Sequence, residues 1–139
     1  MTLRYLLDTN ALSEPVCPRP HPCFMRKIHA RWDRIALPST VWHEALFGLH
    51  RMPAGRRREE VEEYLFHVAL VSFPILPYDA AGAEWHAMQR ARLESRGRAV
   101  PFADAQVAAV AKVNGLAIVT RDARDFAGFD DVEVENWWR

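Results

Sequence analysis

The chain has 139 residues, half of them hydrophobic, and its 18 Lys and Arg residues balance its 18 Asp and Glu residues. This length predicts one domain, residues 1–139, with enough apolar side chains for a substantial core. The zero formal net charge argues against a protein that holds long nucleic acid by bulk charge alone, and two cysteines are too few for a disulfide-dense secreted scaffold.

The first predicted strand is the apolar run Leu3–Leu7, which ends at Asp8. An almost uninterrupted apolar run of this length is typical of a buried parallel strand. A short helix is predicted from Ala11 until Pro15 stops it. The proline-rich segment 15–22 is predicted to be a stiff, irregular loop.

A helix is predicted next at Phe24–Trp32, followed by a second strand at Ile35–Leu37. Either Ser39 or Thr40 is expected to cap the helix that runs on to about Met52, because a hydroxyl side chain before an apolar-periodic segment marks a helix start.

In the second half of the chain, the apolar spacing predicts a helix over Arg56–Leu70 and a third strand within Val71–Leu76. Asp79 is a natural cap for a long helix that runs to about Ser95. Gly97 is expected to end that helix.

The last predicted elements are a helix over Pro101–Asn114, a strand over Leu116–Val119 and a strand over Val132–Val134. Strands therefore alternate with helices along the chain. This order predicts an α/β fold with a central parallel sheet of four to five strands covered by helices on both faces.

Four acidic residues are expected to meet at one edge of this sheet. Asp8 directly follows the first strand, and Asp122 follows the Leu116–Val119 strand after two residues. Glu44 and Asp104 lie in the first turns of two helices, whose amino ends border the same edge in doubly wound folds. Ligands of such folds bind beyond the carboxyl ends of the strands, where the strand order switches.

Carboxylates that converge repel one another, and a hard divalent cation removes this repulsion. Mg²⁺ and Mn²⁺ prefer oxygen ligands, and Mg²⁺ usually keeps several waters and binds substrate phosphate oxygens. Asp8, Glu44, Asp104 and Asp122 are therefore the predicted catalytic and metal-binding residues. A metal-activated water attacking a phosphodiester is the predicted chemistry.

These residues also lie in four motifs that follow one another in a familiar order. Leu6–Asn10 reads Leu-Leu-Asp-Thr-Asn, and Ser39–Gly48 contains Glu44 on a predicted helix. Pro101–Ala109 places Asp104 before small and apolar helix residues, and Val119–Phe126 reads Val-Thr-Arg-Asp-Ala-Arg-Asp-Phe. With these motifs, the sequence resembles the VapC-type PIN-domain ribonuclease toxins, including the FitB-like members, over nearly its whole length.

The resemblance implies a three-layer α/β/α PIN domain, a Mg²⁺ or Mn²⁺ cofactor and endonucleolytic cleavage of RNA. It also implies a type II toxin–antitoxin pair, in which a homodimeric toxin is held inactive by a VapB-like antitoxin whose tail reaches the acidic pocket. With no signal peptide and no transmembrane run in the sequence, a cytoplasmic location and no membrane association are expected.

Two alternatives remain open from the sequence. One is a phosphohydrolase with Asp8 as covalent nucleophile, although Asn10 stands where that chemistry usually has a second Asp. The other is a catalytically weak binding module whose acidic pocket only docks a basic antitoxin tail.

Several other polar residues receive structural interpretations. His43 is expected to be structural on a different helix face from Glu44, and Asp125 to be a turn acid. Thr120 is a candidate for a hydrogen bond to a carboxylate or to the scissile phosphate. The spacing of Cys17 and Cys23 does not match a known zinc motif.

Overall fold

The computed structural model describes residues 2–139; Met1, the first residue of the predicted domain, lies outside the described residues. The buried apolar side chains form a continuous cluster around a central sheet. Within residues 2–139, no helix is both long and apolar enough to span a lipid bilayer.

The sheet has five strands in the order β3-β2-β1-β4-β5. The strands are Tyr5–Leu7 (β1), Ile35–Pro38 (β2), Ile75–Leu76 (β3), Ala117–Val119 (β4) and Val134–Glu135 (β5). Every pair is parallel, and in the centre Leu6 lies opposite Ala36 on one side and Ile118 on the other. The predicted parallel sheet of four to five strands is therefore confirmed.

The three central strands are buried along their whole length, whereas the two edge strands are only partly buried. Burial on both faces requires layers of helix above and below the sheet. The helices are Thr9–Ser13 (α1), Pro22–Ala30 (α2), Ser39–Arg51 (α3), Arg56–Tyr64 (α4), Leu70–Ser72 (α5), Ala80–Ser95 (α6) and Phe102–Asn114 (α7). The result is the expected three-layer α/β/α arrangement.

The third strand predicted within Val71–Leu76 is confirmed, but it occupies only the last two residues of that range. A π-helical segment, Leu65–Ala69, joins α4 to α5, so Val71 is still helical and 76% exposed. Continuing the helix buries Leu65 and Ala69 in the core, and this packing overrides the β preference of an isolated valine. Only Ile75–Leu76 is left to pair with β2.

Several predicted boundaries also shift by a few residues. Pro38, not Ser39 or Thr40, is the N-cap of α3, and no side chain caps that helix. The predicted strand at Val132–Val134 begins only at Val134, because Asp131 adopts a positive φ of 52° and turns the chain just before it.

Two predicted helix ends are confirmed with their mechanisms. Asp79 caps α6, its Oδ1 accepting a hydrogen bond from the Gly82 N–H at 3.0 Å. Gly115 ends α7 in the left-handed region with φ at 66°.

The carboxyl-terminal tryptophans Trp137 and Trp138 pack into the core. The Trp137 ring is 1% exposed and meets the Tyr5 ring edge-on at 5.1 Å between centroids. The Trp138 ring lies 4.6 Å from Phe24 of α2. The end of the chain is therefore fixed against the strand that precedes Asp8.

We expect Tyr64→Phe to lower the free energy of unfolding by about 1–3 kcal/mol, because it leaves a buried acceptor without its donor. The buried Tyr64 hydroxyl donates a 2.6 Å hydrogen bond to the carbonyl oxygen of Leu12, at the end of α1. Urea unfolding monitored by tryptophan fluorescence measures this change. A loss below about 0.5 kcal/mol, the range of ordinary surface substitutions, would contradict it.

Candidate active site

A cleft of about 460 Å³ opens at the carboxyl edge of the sheet. It lies beyond the ends of β1 and β4, where the chain order of the strands switches sides. The acidic residues that line it are Asp8, Glu44, Asp104, Asp122 and Asp125. The structure thus brings the four sequence-predicted acids into one cleft.

Asp8 is held at the floor of this cleft by the start of α1. Its backbone N–H donates to Val119 O at 3.2 Å, and its Oδ1 accepts from the Ala11 N–H at 2.8 Å. Burial raises the pKa of Asp8, and the Asp122 charge adds to this effect. The Thr120 side chain and nearby backbone N–H groups lower its pKa only in part.

Thr120 is the buried hydroxyl next to two of the acids. It is 1% exposed, and its Oγ1 accepts from the Asp122 N–H at 3.1 Å. Its side chain is also close enough to Asp8 to lower the pKa of that carboxyl. Thr120 therefore lies beside both acids, and the hydrogen bond expected from it to a carboxylate stays a prediction.

Asp104 lies in the first turn of α7 and lines the cleft from that helix. Burial raises its pKa, and the charges of Asp125, Asp8 and Asp122 raise it further. The positive end of the α7 dipole favours a carboxylate at this position. The charges of three other acids thus act on Asp104 within this cleft.

Glu44 occupies the rim of the cleft, with its side chain 51% exposed. The prediction that His43 lies on a different helix face from Glu44 is wrong. The His43 side chain is 75% exposed, lines the same cleft, and has its Nδ1 3.8 Å from Glu44 Oε1. The first turns of α3 lie at the mouth of the cleft, so the adjacent side chains of His43 and Glu44 both border it.

Sequence reasoning missed Asp125, which it interpreted as a turn acid. The 3₁₀ turn Ala123–Phe126 follows Asp122 directly and returns Asp125 to the cleft. The signal was the spacing of three residues between the two acids, which places them on one side of a 3₁₀ turn.

The side chains in the cleft suit a hard divalent cation. Within residues 2–139, no three His, Cys, Asp or Glu side chains are grouped closely enough to enclose a metal ion by themselves. Mg²⁺ needs only one or two protein carboxylates, because it usually keeps several waters and takes further oxygens from substrate phosphates. The donors here are carboxylates, and the buried Thr40 hydroxyl beside them has no hydrogen-bond partner among the described residues.

The proline-rich loop is organised around a different carboxylate. Glu14 is the point where this loop meets the end of the chain. It accepts hydrogen bonds from Trp138 Nε1, the His21 N–H and Cys17 Sγ, at 3.0, 2.8 and 3.4 Å, and pairs with Arg121 at 3.7 Å. Burial raises the pKa of Glu14, but these partners outweigh it and leave the pKa lowered. The loop thus has a structural role, which its sequence alone left undefined.

The PIN-domain family profile matches residues 5–133. The chain is 31% identical over 136 residues to Toxin FitB of Neisseria gonorrhoeae, covering 96% of this chain and 97% of FitB. It is 32% identical over 130 residues to VapC ribonuclease Y4jK of Sinorhizobium fredii, covering 90% and 93% of the two chains.

Solved structures agree with this relationship. The chain superposes on one from the structure of FitAB bound to an IR36 DNA fragment with a TM-score of 0.88 and 29% identity, covering 97% of this chain and 96% of that one. The fold, the order of the sequence motifs and the cleft that the four predicted acids line together thus agree with the same family. The chain belongs to the PIN-domain family, in the group that includes the VapC and FitB toxins.

Proposed function

We propose that this chain is a single-domain, metal-dependent endoribonuclease and the toxin of a type II toxin–antitoxin pair. The observation that carries the proposal is the single cleft that Asp8, Glu44, Asp104 and Asp122 line together, in which the charge of Asp122 helps to raise the pKa values of Asp8 and Asp104. The curated relatives support the substrate, because their names describe a ribonuclease and a tRNA(fMet)-specific endonuclease.

Asp8, Glu44, Asp104 and Asp122 are the residues that would hold Mg²⁺ or Mn²⁺. When bound, the cation supplies Lewis-acid chemistry, activating a water nucleophile and offsetting the charge of the scissile phosphate. The chain itself supplies orientation, because the Ala11 N–H donates a 2.8 Å hydrogen bond to Asp8 Oδ1 and holds that carboxylate in place. The half-exposed Glu44 closes the site at the rim.

The same acidic cleft suits a second ligand, the basic tail of an antitoxin. Among residues 2–139, the single titratable base that lines the cleft with these carboxylates is the exposed His43. Related chains have been solved as the complexes FitAB and VapBC, with DNA. We therefore propose a VapB-like antitoxin as partner, with a homodimer of this chain inside the complex.

The test uses purified, antitoxin-free protein and a single-stranded RNA substrate with Mg²⁺ or Mn²⁺. Internal cleavage is expected on denaturing gels. Glu44→Gln is expected to lower kcat/KM about 10- to 100-fold, because a carboxylate at the exposed rim supports the cation less directly than the half-buried Asp8 and Asp104 do. The control Glu84→Gln changes an exposed acid of α6 outside the cleft and should leave the rate unchanged.

Tight antitoxin binding without any RNA cleavage would contradict the enzymatic proposal and favour the binding module. A trapped phospho-aspartate at Asp8 would favour the phosphohydrolase. Equal effects of Glu44→Gln and Glu84→Gln would show that the rim carboxylate plays no part in the reaction.

A further inference from the structure

A second, basic groove adjoins the acidic cleft. It has a volume of about 420 Å³, and we call it the arginine groove; its lining residues are Arg121, Asp122, Ala123, Arg124, Asn136 and Arg139. Asp122 lines both the arginine groove and the acidic cleft. The two sites are therefore continuous, and their charges are opposite.

The groove exists because β4 and β5 are parallel neighbours. Their carboxyl ends lie side by side, so the turn after β4 and the segment after β5 form its two walls. The Asn136 side chain joins the walls, since its Nδ2 donates to Arg121 O at 3.5 Å and its Oδ1 accepts from the Trp138 N–H at 2.9 Å. The Lys27 ammonium also donates a hydrogen bond to the Arg139 carbonyl oxygen.

The three arginines are not equivalent. Arg121 pairs with Glu14 at 3.7 Å and lies over the Trp138 ring at 4.7 Å, so its charge is partly offset and its position is fixed. Arg124 and Arg139 are exposed, and within residues 2–139 neither has a carboxylate within 4.0 Å. Their guanidinium groups are available to an anion from outside.

An RNA strand needs such a surface beside the acidic cleft. The cleft carboxylates repel every phosphate that does not face a bound cation, and neighbouring phosphates follow the scissile one along the strand. A guanidinium group matches phosphate oxygens with two parallel hydrogen bonds. A basic antitoxin tail, in contrast, would be repelled by the arginine groove.

We propose that the arginine groove binds a backbone phosphate of the RNA next to the scissile phosphate, through Arg124 and Arg139. This inference rests on the proposed ribonuclease function and adds a substrate-binding subsite to it. The subsite contacts the backbone and not the bases, so it contributes affinity without sequence preference.

The test compares Arg124→Gln and Arg139→Gln with Arg96→Gln, which removes the same charge from an exposed arginine outside both sites. On a single-stranded RNA oligonucleotide, each groove variant is expected to raise KM roughly threefold to tenfold, the effect of one screened guanidinium–phosphate pair. The value of kcat should stay near that of the wild type. The slope of log affinity against log salt should become shallower by about 0.7 for each lost contact.

Binding of the same oligonucleotide is also measured by fluorescence anisotropy in the presence of chelator. A wild-type chain that binds the oligonucleotide in chelator but does not cleave it when Mg²⁺ or Mn²⁺ is added would contradict the proposed function, while the groove variants would still report on the subsite. The inference is overturned if both groove variants match Arg96→Gln in KM and in salt slope. It is also overturned if they weaken only antitoxin binding.

Discussion

Asp8→Asn is expected to abolish RNA cleavage while leaving the fold at least as stable as that of the wild type. The substitution removes the charge needed to hold a cation, whose contribution of several kcal/mol corresponds to a loss of at least about 1,000-fold in kcat/KM. The asparagine still has a side-chain oxygen that can accept a hydrogen bond from the Ala11 N–H, as Asp8 Oδ1 does at 2.8 Å. Asparagine is as good an N-cap as aspartate, so α1 retains its start.

The stability part of this prediction follows from the linkage between proton binding and folding. The pKa of Asp8 is raised above 3.8 in the folded chain, mainly by burial, so the folded state binds a proton more tightly than the unfolded state does. Stability is therefore lost as the pH rises from 3.8 through the raised pKa, and the loss persists at neutral pH. The pKa of Asp104 is also raised, so its effect on stability has the same direction. An asparagine at position 8 avoids this loss.

The matched control is Asp79→Asn. Asp79 caps α6 through its Oδ1, as Asp8 caps α1, but it lies outside the cleft. Cleavage assays and thermal melts in chelator should show normal activity for Asp79→Asn and no activity for Asp8→Asn, with a melting temperature for Asp8→Asn at or above that of the wild type. Retained cleavage by Asp8→Asn would remove the catalytic assignment, and a lower melting temperature would contradict the electrostatic account.

The central part of the fold could be predicted from the sequence because burial leaves a clear pattern there. The runs around Leu6 and Ile118 are apolar throughout, as strands buried on both faces must be. The edge strands Ile75–Leu76 and Val134–Glu135 have two residues each and are half buried, so neither periodicity nor propensity marks their ends.

The acids of the site were predictable for a related reason. The sequence alone shows that Asp8 and Asp122 each come soon after an apolar strand. In the structure these two strands are parallel neighbours, so their carboxyl ends lie side by side. Asp125 was missed because its spacing of three residues from Asp122 points to the cleft only if the segment between them forms a 3₁₀ turn. His43 was missed because two adjacent residues in the first turns of α3 both line the cleft.

The arginine groove was missed because its two free arginines come from different segments. In the sequence, clustered positive charge stands elsewhere, for example in the run Arg56–Arg58. In the structure Arg56 and Arg57 pair with Glu60, and Arg58 donates to the Met52 carbonyl. Arg124 and Arg139 lie in one groove only because β4 and β5 are neighbours.

Removal of divalent cations is expected to stop cleavage completely, and Mg²⁺ or Mn²⁺ is expected to restore it. Cation binding should also raise the melting temperature of the wild type, because it relieves the repulsion among Asp8, Asp104 and Asp122. A ligand at 100 times its Kd stabilises the folded state by about 2.7 kcal/mol, which is easily measured. The same cation should raise the melting temperature of Asp8→Asn much less.

Screening by salt must be separated from binding at the site. Sodium chloride at the same ionic strength weakens repulsion between exposed charges but gives a buried carboxylate no ligand. It should therefore produce only a small, non-saturating rise in melting temperature, whereas Mg²⁺ should produce a saturating one. Cleavage that continues in excess chelator would contradict a metal mechanism. Equal stabilisation by the two salts would show that the clustered carboxylates respond to ionic strength and not to a bound ion.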